Sequence, residues 1–209
     1  MKTIVCFGDS NTFGSHPLGG RHPYEDRWTG RLQGLLGGGY RVIEEGLGGR
    51  TTVFEDEIEQ GRCGRTALPI CLGTHKPFDL LVIMLGTNDL KARFNLPEWD
   101  LAHAMRELLR MVKAYPFAPE FPEPQVLVVS PIEIAPGVSK TFGCFAEDAA
   151  ERSRRFAAIY EPVAREAGVH FMNAAKFAGP SREDRLHMDR GGHAALAEAM
   201  AQKVREILG

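Results

Sequence analysis

No stretch of these 209 residues approaches the run of about 20 apolar residues that a membrane-spanning helix needs. An excess of one charge is missing as well: 25 Lys and Arg stand against 27 Asp and Glu, a formal net charge of -2. Nucleic acid and anionic lipid surfaces, which select strongly basic faces, are therefore not expected as partners. Cysteine is scarce. Cys6, Cys63, Cys71 and Cys144 form no Cys-x-x-Cys pair, and no histidine pairing of the zinc type stands out, so neither a metal nor a disulfide framework is expected. Two nucleotide signatures are also absent. There is no Gly-x-Gly-x-x-Gly after a strand, which excludes a dinucleotide fold of the usual kind, and no Gly-Lys-Ser/Thr, which excludes a P-loop. The first apolar run starts at Thr3, leaving no room for a cleavable leader, so a cytoplasmic location is expected.

What is present is an ordinary globular composition, 44% hydrophobic, enough for one substantial core and a single domain over residues 1–209. Short apolar runs, Thr3 to Phe7, Tyr40 to Glu44, Asp79 to Leu85, Gln125 to Ser130 and Val169 to Met172, read as strands. Helical patterns fall between them at Arg27 to Leu36, Pro97 to Ala114, Ala146 to Ala167 and Gly191 to Leu208. Leu101, Met105, Leu108, Leu109 and Val112 lie on one helical face. Strands alternating with helices predict a three-layer α/β/α fold around a five-stranded parallel sheet, in the flavodoxin-like order 2-1-3-4-5. The stretch from Phe54 to His75 is too long for an ordinary connection and reads as a functional or interface loop. Pro131 to Phe145 reads as a second rim.

In such a sheet, ligands bind beyond the carboxyl ends of the strands. The first strand breaks there into Gly8-Asp9-Ser10-Asn11-Thr12, which places a serine at that edge. A nucleophilic serine needs a base, and the base needs an orienting carboxylate. Near the other end of the chain, Asp184 and His187 stand in an Asp-x-x-His spacing. The second strand runs into Gly46-Leu47-Gly48-Gly49-Arg50, whose glycines let backbone N–H groups approach a ligand. The third runs into Gly86-Thr87-Asn88-Asp89, where the Asn88 amide can donate to a developing oxyanion.

Taken in order, Gly8-Asp9-Ser10, Gly46-Leu47-Gly48-Gly49, Gly86-Thr87-Asn88-Asp89 and Asp184-Arg185-Leu186-His187 resemble the four blocks of the SGNH (GDSL-type) hydrolases. Glu44-Glu45-Gly46 with Arg50-Thr51-Thr52, and Met84 to Asp89, are similar to the bacterial arylesterase and acyltransferase branch. The resemblance implies Ser10 as nucleophile and His187 as base oriented by Asp184. It also implies an oxyanion hole made by Ser10, Gly49 and Asn88. No cofactor is required, the partner is a small-molecule ester, and the branch includes homo-oligomers. Asn11 departs from the family, which most often has Leu there. Asn11, Phe13 and Trp28 are the candidate substrate-binding residues.

Each block alone has a plainer reading: Asp and Ser favour turns, Asn88-Asp89 could cap a helix, and Asp184 with His187 could be a surface pair. His193 is the rival base. The alternatives are a lysophospholipase or thioesterase on long acyl chains, a metal phosphoesterase built from Asp9, Asp89, Asp184 and His187, and an inactive binding module.

Overall fold

The computed structural model describes residues 1–209. Strands β1 (Lys2–Gly8), β2 (Tyr40–Gly46), β3 (Leu80–Met84), β4 (Gln125–Ser130) and β5 (His170–Asn173) form one parallel sheet, in the order β2-β1-β3-β4-β5. All five expected strands are present, and the order is the expected one. The helices are α1 (Ser10–Phe13), α2 (Trp28–Leu36), α3 (Gly64–His75), α4 (Glu98–Ala114), α5 (Val138–Thr141), α6 (Ala149–Ser153), α7 (Phe156–Ala167) and α8 (Arg190–Leu208).

Because side chains alternate along a strand, the apolar runs feed two cores. Ile4, Cys6, Leu80, Val82, Leu127 and Val129 pack against Leu32 of α2 and Leu196, Met200 and Val204 of α8. Val5, Phe7, Leu81, Ile83 and Val128 face Leu68 and Leu72 of α3, the expected stripe of α4, and Tyr160 and Val163 of α7. Burial of each such Leu or Val side chain contributes about 1.5–3 kcal/mol. Packing of this kind, more than helix propensity, holds short helices in place.

Two expectations about helices are corrected. The segment from Phe54 to His75 is not one long loop, because its second half is α3. Pro69, which cannot donate to the carbonyl of Arg65, and the glycines at 64 and 73 masked the helix. The periodic signal that survives is Leu68, Cys71 and Leu72, all buried. The expected single helix from Ala146 to Ala167 is broken into α6 and α7. Ser153 Oγ donates to the Ala150 carbonyl at 2.8 Å and accepts from the Ile134 N–H at 2.9 Å. Arg154 and Arg155 then bond back only three residues, to Glu151 and Arg152.

The crossovers bring the carboxyl ends of β1, β2 and β3 side by side, with Gly8 paired to both Gly46 and Met84. Here the end of β2 touches α1 so closely that a Cβ on Gly46 would fall 2.1 Å from the Phe13 nitrogen.

Candidate active site

Ser10 opens α1 directly beyond β1 and is 6% exposed. Asp9 caps the helix, its carboxylate accepting from the Asn11 N–H at 3.0 Å, and Gly14 ends it in the left-handed conformation. After β2 the chain turns back at Gly49, whose φ of 77° favours glycine, and the Leu47 N–H donates to the Gly8 carbonyl at 3.1 Å. The Arg50 guanidinium reaches the same carbonyl at 2.9 Å. After β3, the Asn88 side-chain amide donates one hydrogen to the Arg50 carbonyl at 3.1 Å, which orients the amide and leaves its second hydrogen free. Asp89 ties the third block to the second. Its carboxylate accepts from the Thr52 N–H at 3.1 Å and the Thr52 hydroxyl at 2.9 Å.

His187 lies on the loop between β5 and α8, and its Nδ1 is 2.5 Å from Asp184 Oδ2. The other carboxylate oxygen of Asp184 accepts from the N–H groups of Leu186 at 3.0 Å and His187 at 2.9 Å. Burial alone would raise the Asp184 carboxyl, but these three hydrogen bonds outweigh it and hold the group below the usual carboxylate range. With Nδ1 occupied, Nε2 is the imidazole nitrogen left to take a proton. The loop is anchored beside Ser10, because the side chain of Asn11 bonds to the backbone of Leu186 and of Met188.

A model of the GDSL-like lipase/acylhydrolase family matches residues 6–195. The chain belongs to that family. Membership makes it a carboxylic ester hydrolase, with a fold that solved members share over their whole length. A carbohydrate acetylesterase from Sinorhizobium meliloti is 35% identical, with a TM-score of 0.95 and 100% of each chain covered. An aryl esterase from M. smegmatis is 37% identical at a TM-score of 0.95, again over 100% of each chain. A putative arylesterase from Agrobacterium tumefaciens is 39% identical at 0.91, over 100% of each chain. No curated protein matches the sequence.

In this GDSL-like hydrolase the three candidate substrate-binding residues stand in different surroundings. Trp28 is 0% exposed within the core under α2 and α8, and offers no surface to a ligand. Asn11 is 3% exposed and both ends of its amide are used within the protein. Phe13 is half-buried, with the Arg21 guanidinium 4.0 Å above its ring. The structure singles out Phe142: its ring meets His187 edge to face, with centroids 5.8 Å apart. It lies in the expected rim of Pro131 to Phe145, but nothing in that proline- and glycine-punctuated segment marked which aromatic turns inward. The segment after Gly49 is pinned by ion pairs. Asp56, 2% exposed, receives Lys91 at 3.2 Å and Arg93 at 2.8 Å, and Glu59 binds both cations at 2.7 Å.

The carboxylates of the metal phosphoesterase alternative are individually engaged. Asp9 caps α1, Asp89 holds Thr52 and Asp184 holds His187, and no group of donor atoms joins them. One cluster was overlooked. Cys71 and His75, a turn apart on α3, meet Glu45 with donor atoms within 4.8 Å. His75 Nε2 pairs with Glu45 Oε1 at 2.6 Å, burial pushes the Cys71 thiol up to about 12, and Arg50 donates to the Glu45 carbonyl. A neutral thiol beside an already hydrogen-bonded His–Glu pair and a guanidinium makes a poor cation site.

His193 is not placed as a base. It is 0% exposed, its Nδ1 accepts from the Trp28 N–H at 3.2 Å, and its Nε2 has no partner. Burial first, and the neighbouring His22 second, depress its pKa from 6.5 to about 3. Between those values the unfolded chain binds a proton that the folded chain does not, so stability is full above about 6.5 and falls as pH drops toward 3. Burial raises Asp9 to about 6 and Asp89 to about 7, which works in the opposite sense, since these carboxyls hold protons in the folded state. The difference between wild type and His193→Gln isolates the histidine. Urea titrations at pH 7 and pH 5 are expected to show a smaller acid-side loss in the variant; equal losses would contradict a buried, neutral His193.

Proposed function

We propose that the protein is a serine esterase for short-chain carboxylic esters, whether aryl, alkyl or acetyl, acting through an acyl-serine intermediate and passing the acyl group to water or to an alcohol. The observation that carries this reading is the 2.5 Å contact of His187 Nδ1 with a buried, ionised Asp184, on a loop bonded to the residue after Ser10. His187 Nε2 takes the Ser10 proton as Oγ attacks the ester carbonyl. The N–H groups of Ser10 and Gly49 and the free amide hydrogen of Asn88 receive the oxyanion. Collapse expels the alcohol, which takes the proton back from His187. Water or a second alcohol then enters with His187 again as base.

The short acyl preference rests on the site's surroundings. Phe142 stands against the imidazole and narrows the space beside it. The names of the similar structures, carbohydrate acetylesterase and aryl esterase, favour acetyl and aryl esters. Ile58 and Ile70, 74% and 69% exposed, support self-association, and four free thiols fit the cytoplasm. One hydrolase domain spanning 1–209 accommodates all of this.

The test is a p-nitrophenyl ester series from acetate to palmitate, with a thioester analogue, with and without chelator, alongside sedimentation. Chelator-resistant turnover that is highest on the shortest esters is expected, from an oligomer. A palmitate or thioester preference would transfer the protein to the lysophospholipase or thioesterase reading, loss on chelation to the metal phosphoesterase, and a monomer would remove self-association.

A further inference from the structure

The amide of Asn11 is committed at both ends. Oδ1 accepts from the Met188 N–H at 3.0 Å, and Nδ2 donates to the Leu186 carbonyl at 3.4 Å. These groups flank His187 and lie 177 and 175 positions away in sequence. A side-chain amide carries its acceptor and donors side by side, as the N–H and C=O of one strand residue stand. Here it pairs with alternate residues, as a neighbouring strand would. Leu186 and Met188 are 5% and 0% exposed, so no water replaces the amide if it is lost.

The remaining bonds of this segment come from elsewhere. Asp184 receives the N–H groups of Leu186 and His187, Ser181 N–H donates to the His187 carbonyl at 2.7 Å, and His22 Nε2 is 3.3 Å from the Met188 carbonyl. None of these partners lies on α1. Asn11 is the hydrogen-bonded tie between the helix that carries Ser10 and the loop that carries His187.

We infer that Asn11 is a positioning residue: it fixes the backbone on both sides of His187 to the peptide that follows Ser10, setting the separation of base and nucleophile. Asp184 moves with the histidine, being on the same loop, so it orients the imidazole without fixing where the loop sits. The inference rests on the serine esterase reading. It also gives the departure from leucine at this position a physical role, because leucine could satisfy neither buried backbone group.

The experiment compares Asn11→Leu, which removes both bonds, with Asn11→Asp, which keeps the acceptor for Met188 but sets an oxygen against the Leu186 carbonyl. Melting curves, p-nitrophenyl acetate kinetics and the far-downfield proton resonance of the His187 Nδ1–H are read for each, beside Ser10→Ala. The expected result is a fall of about 10- to 100-fold in kcat with KM nearly unchanged, as a displacement of about 1 Å produces. The downfield resonance persists, because the Asp184–His187 pair travels as a unit. Wild-type kcat in a folded Asn11→Leu would overturn the inference. Loss of the resonance together with activity would also overturn it, showing that Asn11 merely keeps the loop folded. If the leucine variant does not fold, the same readouts on Asn11→Asp decide. Activity surviving in Ser10→Ala would instead sink the serine esterase reading, an outcome distinct from wild-type behaviour at Asn11 with an inactive Ser10→Ala.

Discussion

His187→Ala is expected to lower kcat on p-nitrophenyl acetate by about 10⁶-fold, the loss found when a triad member that acts as nucleophile or base is removed. Without an imidazole nothing takes the Ser10 proton, and a neutral hydroxyl is a weak nucleophile. The fold should survive. The His187 side chain is partly exposed, bonded to Asp184 and set edge to face with the ring of Phe142. The backbone around it is held by Asn11, Ser181 and Asp184, which the substitution leaves in place. Residual turnover comes from the oxyanion donors alone. Steady-state kinetics with a matched melting curve make the check, and undiminished activity in a folded variant would remove His187 from the mechanism.

Asp184→Asn is expected to cost about 10⁴-fold in kcat, although it changes one atom. The asparagine oxygen can still receive the N–H groups of Leu186 and His187, as Asp184 Oδ1 does now. Its NH₂ then faces His187 Nδ1, which must become an acceptor. The ring proton moves to Nε2, the nitrogen that has to take the proton of Ser10. The sign of the stability change is also fixed. Asp184 has a folded pKa below its ordinary value, so it contributes stability that is present above about 3.9 and lost as pH falls through the folded value. The variant should be less stable than wild type at neutral pH and converge on it in acid. Kinetics at pH 7 with denaturant melts at pH 7 and pH 3 test both parts. Equal kcat would mean that the carboxylate does not set the tautomer.

Much of this molecule was legible from the sequence because a parallel sheet imposes a simple rule. Every strand runs the same way, so whatever follows an apolar run arrives at the same edge. Ser10, Gly49 and Asn88 each stand within four residues of the end of a strand, and strand order then sets them side by side. Strands buried on both faces read as unbroken apolar runs, and α4 kept a clean stripe. The signal was weaker for α3, where Pro69 and two glycines speak locally for a loop while burial of Leu68, Cys71 and Leu72 decides for a helix.

The sequence by itself determined the sheet, its order, the edge at which chemistry is placed and the family of the chain. Tertiary structure alone decided which side chains are spent inside the protein. Trp28 goes into the core, Phe142 onto the imidazole, and the amide of Asn11 across to a loop more than 170 residues away. The physical reason is range. Motif and periodicity record a residue's relation to its neighbours along the chain, whereas a hydrogen bond or a buried contact depends on which distant backbone the fold brings within about 3 Å.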